Sequence, residues 1–490
     1  MGMRVEKDSL GDVMVPDDAF YGSFTVRAMK NFQISGIKAH KEFILSLARI
    51  KKCCAIANMK LEQLDKKKAL AISAAADEII NSSAVYGTFE ELFPLDVFQA
   101  GAGTPFNMNM NEVLANIASD KLGKKKGTYL VHPNNHVNMA QSSNDVIPTA
   151  VRLACLVLLP RLEHELASLI KEFGKKARHY KDIVKVGMTH LEDAVPITFG
   201  QVFYSFAHSL EEALKKVRAS KDSLSNIPIG GTAVGTGLNA HPKFKVTVVN
   251  ELSKETNHKL RPANDSIQLT WSMQDFLELS SALRIIAVEL NKISNDLRLM
   301  NSGPNTALAQ ISLPEVEPGS SIMPGKVNPS IPECMNMICF QVIGNDTAVS
   351  HAADASQLEL NVMTPVIAHN LFTSIEILTN GIKMLNDLSI RGLKVNEERC
   401  QELLEKNPVI ATSLNPYLGY EVVAELVKIA LRENKPIRQI VQRYNLVQDN
   451  LLDKLLNAKK LTQPLVADTK LADKIRASNG YKNFRESIGK

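Results

Sequence analysis

The chain has 490 residues, more than one hydrophobic core usually supports, so two or three domains, or one very elongated one, are expected. Hydrophobic residues make up 45% and charged residues 22%, with a net charge of +5, a balance that argues against wholesale disorder. The lysine runs at 65–68 and 121–127 lack the interleaved aromatics of a nucleic-acid groove, and no apolar run approaches the roughly 20 residues of a membrane span.

Residues 1–143 mix helical pattern with loops rich in Asn, Gly and Pro. The start, MGMRVEKDSLGD, has no apolar signal core, and Cys53, Cys54, Cys155, Cys334, Cys339 and Cys400 lack CxxC spacing. A soluble, cytoplasmic protein with no disulfide framework, no membrane partner and no nucleic-acid partner is therefore expected. From 144 to 400 the pattern becomes strongly helical. Leu162, Leu166, Leu169 and Phe173 predict one helix, which Pro160 should kink if the helix also includes VRLACLVLL. Phe199, Phe203, Phe206, Leu210, Leu214 and Val217 predict a second, with its start marked by Pro196. Phe276, Leu279, Leu283, Ile286, Leu290, Ile293, Leu297 and Met300 step by three and four without a miss, the seam of a long bundle helix ended by Gly303-Pro304. At about 1.5 Å per residue it runs roughly 40 Å. Segments 331–349 and 366–385 supply a fourth and a fifth helix, and 401–490 reads as short helices ending in a polar, Lys-rich tail. A seam that long exposes too much apolar surface for one thin bundle, so a homo-oligomer is expected.

Four polar clusters interrupt this pattern: GAGTPFNMNMNE at 101–112, QSSNDVIPTA at 141–150, GMTHLEDAVP at 187–196 and GSSIMPGKVNP at 319–329. Hydroxyls, amides and a lysine at helix N-termini suit an anion, because free N–H groups and the helix dipole favour negative charge there. Converging clusters would suit two carboxylates. Each taken singly is better read as a helix cap, but a cap needs one side-chain oxygen, and Ser320, Ser321, Lys326 and Asn328 together exceed that need. The glycine-rich IGGTAVGTGLN at 229–239 lacks the lysine of a phosphate loop and reads as a close-approach loop. His132 and His136 have loop spacing rather than metal-ligand spacing, so no metal is expected.

GSSIMPGKVNP resembles the signature of the fumarase/aspartase superfamily, and the similarity runs from RVEKDSLGDVMVP to LNPYLGYE at 414–421. The argininosuccinate and adenylosuccinate lyases share part of that signature but usually differ at Gly325 and Val327. The resemblance implies a mainly all-α, three-domain subunit (1–143, 144–400, 401–490) with a central five-helix bundle. It also implies a homotetramer around a twenty-helix core, with each active site drawn from three subunits. Its chemistry is elimination next to a carboxylate, giving fumarate and a small leaving group without a redox or metal cofactor. By the same resemblance, Ser320 as an oxyanion takes the Cβ proton, favoured by Lys326 and loop N–H groups. Thr104, Ser142, Ser143 and Ser321 hold the carboxylate that gains charge. Lys326, Asn328 and Thr189 clamp the other carboxylate, and Asn144 and His190 face the leaving group.

The leaving group divides the family. AFYGSFTVRAMKNFQISG at 19–36, DVFQAGAGT at 96–104, ASQLELNVMTPVI at 355–367 and KKLTQP at 459–464 are similar to the ammonia-lyases. SSND at 142–145, GGTAVGTGLN and Glu317 are similar to the hydratases, in which a His190–Glu317 pair would activate water. The ammonia-lyase reading is preferred, acting on aspartate, with the hydratase of malate as alternative. Met188, Glu192, Asn135 and Pro105-Phe106 depart from the usual residues of both branches. A catalytically silent relative is a further possibility, whose mark would be loss of Ser320 or Lys326; both are present.

Overall fold

The three- and four-residue apolar steps become buried seams. In the computed structural model, which describes residues 2–81 and 84–489, all eight seam residues from Phe276 to Met300 are buried along the helix Gln274–Met300. Phe199, Phe203, Phe206, Leu210, Leu214 and Val217 are buried in the same way on Phe199–Leu224. Ser143–His179, Ser330–Asp354 and Thr364–Leu385 complete a set of five long helices, and the architecture is mainly all-α. No helix among the described residues is long and apolar enough to cross a membrane.

The two prolines that the sequence pattern raised, Pro160 and Pro196, take different places. Ser143–His179 continues unbroken through Pro148 and Pro160. A proline inside a helix costs roughly 3 kcal/mol in lost hydrogen bonding and clash, but Leu156, Leu159, Leu162 and Leu166 around it are all buried. At roughly 2 kcal/mol for each buried leucine, packing outweighs the break. Pro196 does not open the second helix. It lies in the strand Glu192–Thr198, and the helix begins at Phe199. There Thr198 and Gln201 form a capping box: Gln201 N donates to Thr198 Oγ1 at 3.1 Å, and Thr198 N donates to Gln201 Oε1 at 3.0 Å.

The chain falls into two compact units, residues 1–166, 212–290 and 337–381 forming one and residues 167–211, 291–336 and 382–490 the other. In the first, buried polar contacts key one long helix to the next. Arg152, fully buried, donates to Asp275 Oδ2 at 3.1 Å and lies 4.6 Å over the Phe276 ring. Ser280 Oγ donates to Asp346 Oδ1 at 2.6 Å, and Asn345 Nδ2 to Ser374 Oγ at 3.0 Å. This unit also holds the N-terminal hairpin Met3–Asp8/Gly11–Pro16 and the helices Lys41–Lys60, Lys66–Ile80 and Thr104–Lys121.

In the second unit Phe173 packs on Phe206 with ring centroids 5.6 Å apart, and Asn336 Nδ2 donates to Asn291 Oδ1 at 2.7 Å. An antiparallel hairpin, Val184–Thr189/Glu192–Thr198, stands where the sequence suggested only a loop before a helix. Short helices after residue 410 bury Leu414, Leu418, Val422, Leu426, Ile440 and Leu452 in their own core. The Lys-rich tail joins them, folding as Thr469–Arg476 and Asn479–Ile488 with Ile475 and Phe484 buried.

Leu283→Ala, in mid-seam, is expected to remove about 3 kcal/mol of stability, read as a lower urea midpoint. A midpoint equal to the parent's would show that the seam does not carry this helix.

Candidate active site

The loop 319–328 closes on itself without regular structure. Gly319 N donates to Lys326 O at 3.0 Å, and Asn328 Nδ2 returns a bond to Gly319 O at 2.8 Å. A side chain at 319 is excluded, because its Cβ would sit 2.5 Å from Lys326 O; Gly325 turns the chain at a φ of +79°. Inside this ring the half-buried Ser320 Oγ accepts from Ile322 N at 3.2 Å and Met323 N at 3.0 Å. Two backbone donors aimed at one hydroxyl oxygen favour its ionised form. Lys326 Nζ, exposed, donates to Asn328 Oδ1 at 2.7 Å, and no hydrogen bond joins it to Ser320 among the described residues. Ser321 and Glu317 are exposed.

In the same unit, Thr189 ends one strand of the hairpin and pairs with Glu192. His190 and Leu191 form its two-residue turn with φ of 57° and 62°. Neither is glycine or asparagine, so each carries roughly 1 kcal/mol of strain. An exposed histidine held in that conformation is the kind of local strain found at functional sites. The cluster is thus at a hairpin tip, not at a helix N-terminus. Among the described residues no ion pair or hydrogen bond joins His190 to Glu317.

The other two clusters lie in the first unit. Thr104 begins the helix Thr104–Lys121, and Pro105 occupies its first turn, where a missing N–H costs nothing. Phe106 packs edge-on against Phe43 at 5.4 Å, which accounts for this departure as core packing. Ser142 caps Ser143–His179: Asn144 N donates to Ser142 Oγ at 3.2 Å, and Ser142 N donates to Asp145 Oδ1 at 2.9 Å. The other oxygen of Asp145 accepts from Gly230 N at 3.0 Å and Thr232 N at 2.9 Å. Asn144 Nδ2 donates to Ala233 O at 2.7 Å, so the glycine-rich loop is laced to this helix end. Burial pushes the Asp145 carboxyl up to about 6, with three backbone N–H groups and Lys51 opposing.

Behind these hydroxyls is a residue that sequence reasoning missed. Lys51 is fully buried on Lys41–Lys60 and donates to Asn107 Oδ1 at 2.6 Å, Asn138 Oδ1 at 2.9 Å and Gln141 Oε1 at 2.9 Å. Asn107 Nδ2 in turn donates to Ser143 Oγ at 3.1 Å. Burial pulls the Lys51 ammonium down to about 7. Three acceptor oxygens, however, match the three N–H bonds of the charged form and not the two of the amine. The available signal was its register: Leu47, Lys51, Cys54 and Asn58 share one buried helix face.

His132 and His136 act as local caps. His132 Nδ1 accepts from Asn134 N and Asn135 N at 3.1 and 3.2 Å, and His136 Nδ1 accepts from His132 N at 2.7 Å. The geometry therefore joins Ser142, Ser143 and Asn144 into one network with Lys51 and Asp145, with Thr104 one helical turn from Asn107. It orders Ser320, Lys326 and Asn328 in another. Asp145→Asn puts an amide NH₂ against backbone N–H donors in either orientation, and the expected outcome is a loss of roughly 2 kcal/mol in stability together with at least a tenfold lower kcat/KM. Unchanged melting and kinetics would show that the lacing is dispensable.

A family model described as lyase matches residues 11–344, and one described as fumarase C C-terminus matches 410–463. An aspartate ammonia-lyase of Bacillus sp is 44% identical over 469 residues, covering 96% of this chain and 99% of that protein. That of Escherichia coli (strain K12) is 42% identical over 465 residues, covering 94% and 96%. Among solved structures, a fumarate lyase:delta crystallin from Brucella melitensis bound to cobalt has a TM-score of 0.90 at 41% identity, covering 94% of this chain and 100% of that one. A class II fumarase from Schistosoma mansoni has a TM-score of 0.91 at 35% identity, covering 95% and 100%. With the signature loop, the long-helix fold and full-length similarity in agreement, this chain belongs to the fumarase/aspartase superfamily of lyases.

Proposed function

We propose that this protein is an aspartate ammonia-lyase, converting L-aspartate reversibly to fumarate and ammonium. The observation that carries the reading is similarity to aspartate ammonia-lyases at 42–44% identity over nearly the whole of both chains. In the elimination, Ser320 as alkoxide takes the Cβ proton, and the electron pair moves into the adjacent carboxylate to give an aci-carboxylate. That pair then returns to form the C=C bond as the Cα–N bond breaks. Ammonia leaves, and the proton from Cβ balances it as ammonium. The two N–H groups on Ser320 Oγ support this role, because they stabilise the oxyanion before substrate binds.

Thr104, Ser142, Ser143 and Ser321 are assigned to the carboxylate that gains charge, with Lys51 behind Ser143 through Asn107. Lys326, Asn328 and Thr189 are assigned to the other carboxylate, and Asn144 and His190 to the departing ammonia. The Asn144 amide spends its N–H on Ala233 O, which turns its carbonyl oxygen toward use as an acceptor for an ammonium. Glu317 is assigned a supporting role beside the signature loop.

We further propose a three-domain subunit (1–143, 144–400, 401–490) in a cytoplasmic homotetramer whose sites draw on three subunits. Exposed Tyr204, Val288, Met337 and Phe340 on the long helices support assembly, and six free cysteines suit a reducing compartment. The hydratase reading rests on Glu317 and SSND, and similarity to a fumarase at 35% identity keeps it as the second reading.

Offered L-aspartate and L-malate separately, the enzyme is expected to release fumarate, followed by ultraviolet absorbance, from aspartate. Fumarate from malate alone would overturn the assignment. Ser320→Ala is expected to lower turnover by roughly 10²- to 10⁴-fold with assembly intact by light scattering, whereas near-normal turnover would remove Ser320 as the base.

A further inference from the structure

A cavity of about 1030 Å³ in the second unit is lined, apart from Thr189, by residues to which the elimination chemistry assigns no role. It lies beside the 184–198 hairpin, and its walls are mainly apolar, with Ile197, Val202, Phe206, Leu299, Met300 and Leu308 among them. Two buried polar side chains line it as well. Lys185 is 7% exposed, and its ammonium makes a single hydrogen bond, to Val186 O at 2.7 Å. Among the described residues no carboxylate lies within ion-pair distance of it; Asp296, on the same wall, is paired to Lys292. Gln310 is 1% exposed, and its Oε1 has no hydrogen-bond partner.

A buried ammonium with two unused donors and a buried amide oxygen without a donor are both costly unless something completes them. The ammonium calls for an anion, and the apolar walls call for a hydrocarbon body. A dicarboxylate meets only the first need, since its second charge would be driven into apolar surroundings. We propose that this cavity is a binding site for a small amphipathic monocarboxylate. Its carboxylate pairs with Lys185, and its hydrocarbon tail lies against Phe206 and Leu308. Thr189 lines the same cavity, so an occupant abuts a residue assigned to substrate. The site does not depend on which leaving group the enzyme expels, and direct binding tests it separately from the reaction.

The test is isothermal titration of the full-length protein with hexanoate, with hexan-1-ol as the uncharged analogue of equal chain length. Hexanoate is expected to bind saturably, at least about tenfold more tightly than hexanol, the difference that one charge-assisted contact supports. Lys185→Met is expected to weaken hexanoate by at least about tenfold. Leu308→Trp, which fills the cavity and leaves Lys185 in place, is expected to abolish binding and decides the matter if Lys185→Met fails to fold. Absence of saturable hexanoate binding, equal affinity for hexanol, or full binding to Leu308→Trp would each overturn the proposal.

Discussion

Burial of the long-helix seams is the interaction on which the polar loops of this protein stand. A loop carrying serines, amides and a lysine has no apolar core of its own, so its position is set by what it is tied to. Here the ties are helix ends. Thr104 opens Thr104–Lys121, Ser142–Asn144 lead into Ser143–His179, the hairpin with Thr189 and His190 leads into Phe199–Leu224, and the 319–329 loop leads into Ser330–Asp354. Rigid helices fixed by residues such as Phe276, Leu283 and Phe173 therefore place each cluster.

Two electrostatic features hold those clusters in order. In the first unit a buried cation, Lys51, stands behind Ser143 through Asn107, and a buried carboxylate, Asp145, gathers three backbone N–H groups so that the glycine-rich loop cannot drift from Asn144. In the signature loop, two backbone N–H groups converge on Ser320 Oγ, the arrangement that the proposed alkoxide needs. Lys326 donates to Asn328 Oδ1 in the same loop.

The parts of the molecule that the sequence revealed, and those it hid, differ for physical reasons. Seams such as 276–300 were legible because a long three-and-four repeat has few competing explanations. The 184–198 hairpin was not, because its alternation is short and Pro196 mimics a helix start. Pro160 sits inside a continuous helix whose surrounding leucines are buried. The tail was read as polar because Ile475 and Phe484 are isolated among charges, although both are buried. Lys51 hid behind its charge, and Asp145 behind a motif noticed only for its neighbours. The signature loop was the reverse case: its residues named the chemistry before any geometry did, while the leaving group was written in neither His190 nor Glu317 alone.

The most direct measurement of the central claim gives the enzyme fumarate with both nucleophiles at once, ¹⁵N-ammonium in H₂¹⁸O, and identifies the product by mass spectrometry. The account predicts ¹⁵N-aspartate as the product. Accumulation of ¹⁸O-malate without labelled aspartate would contradict it.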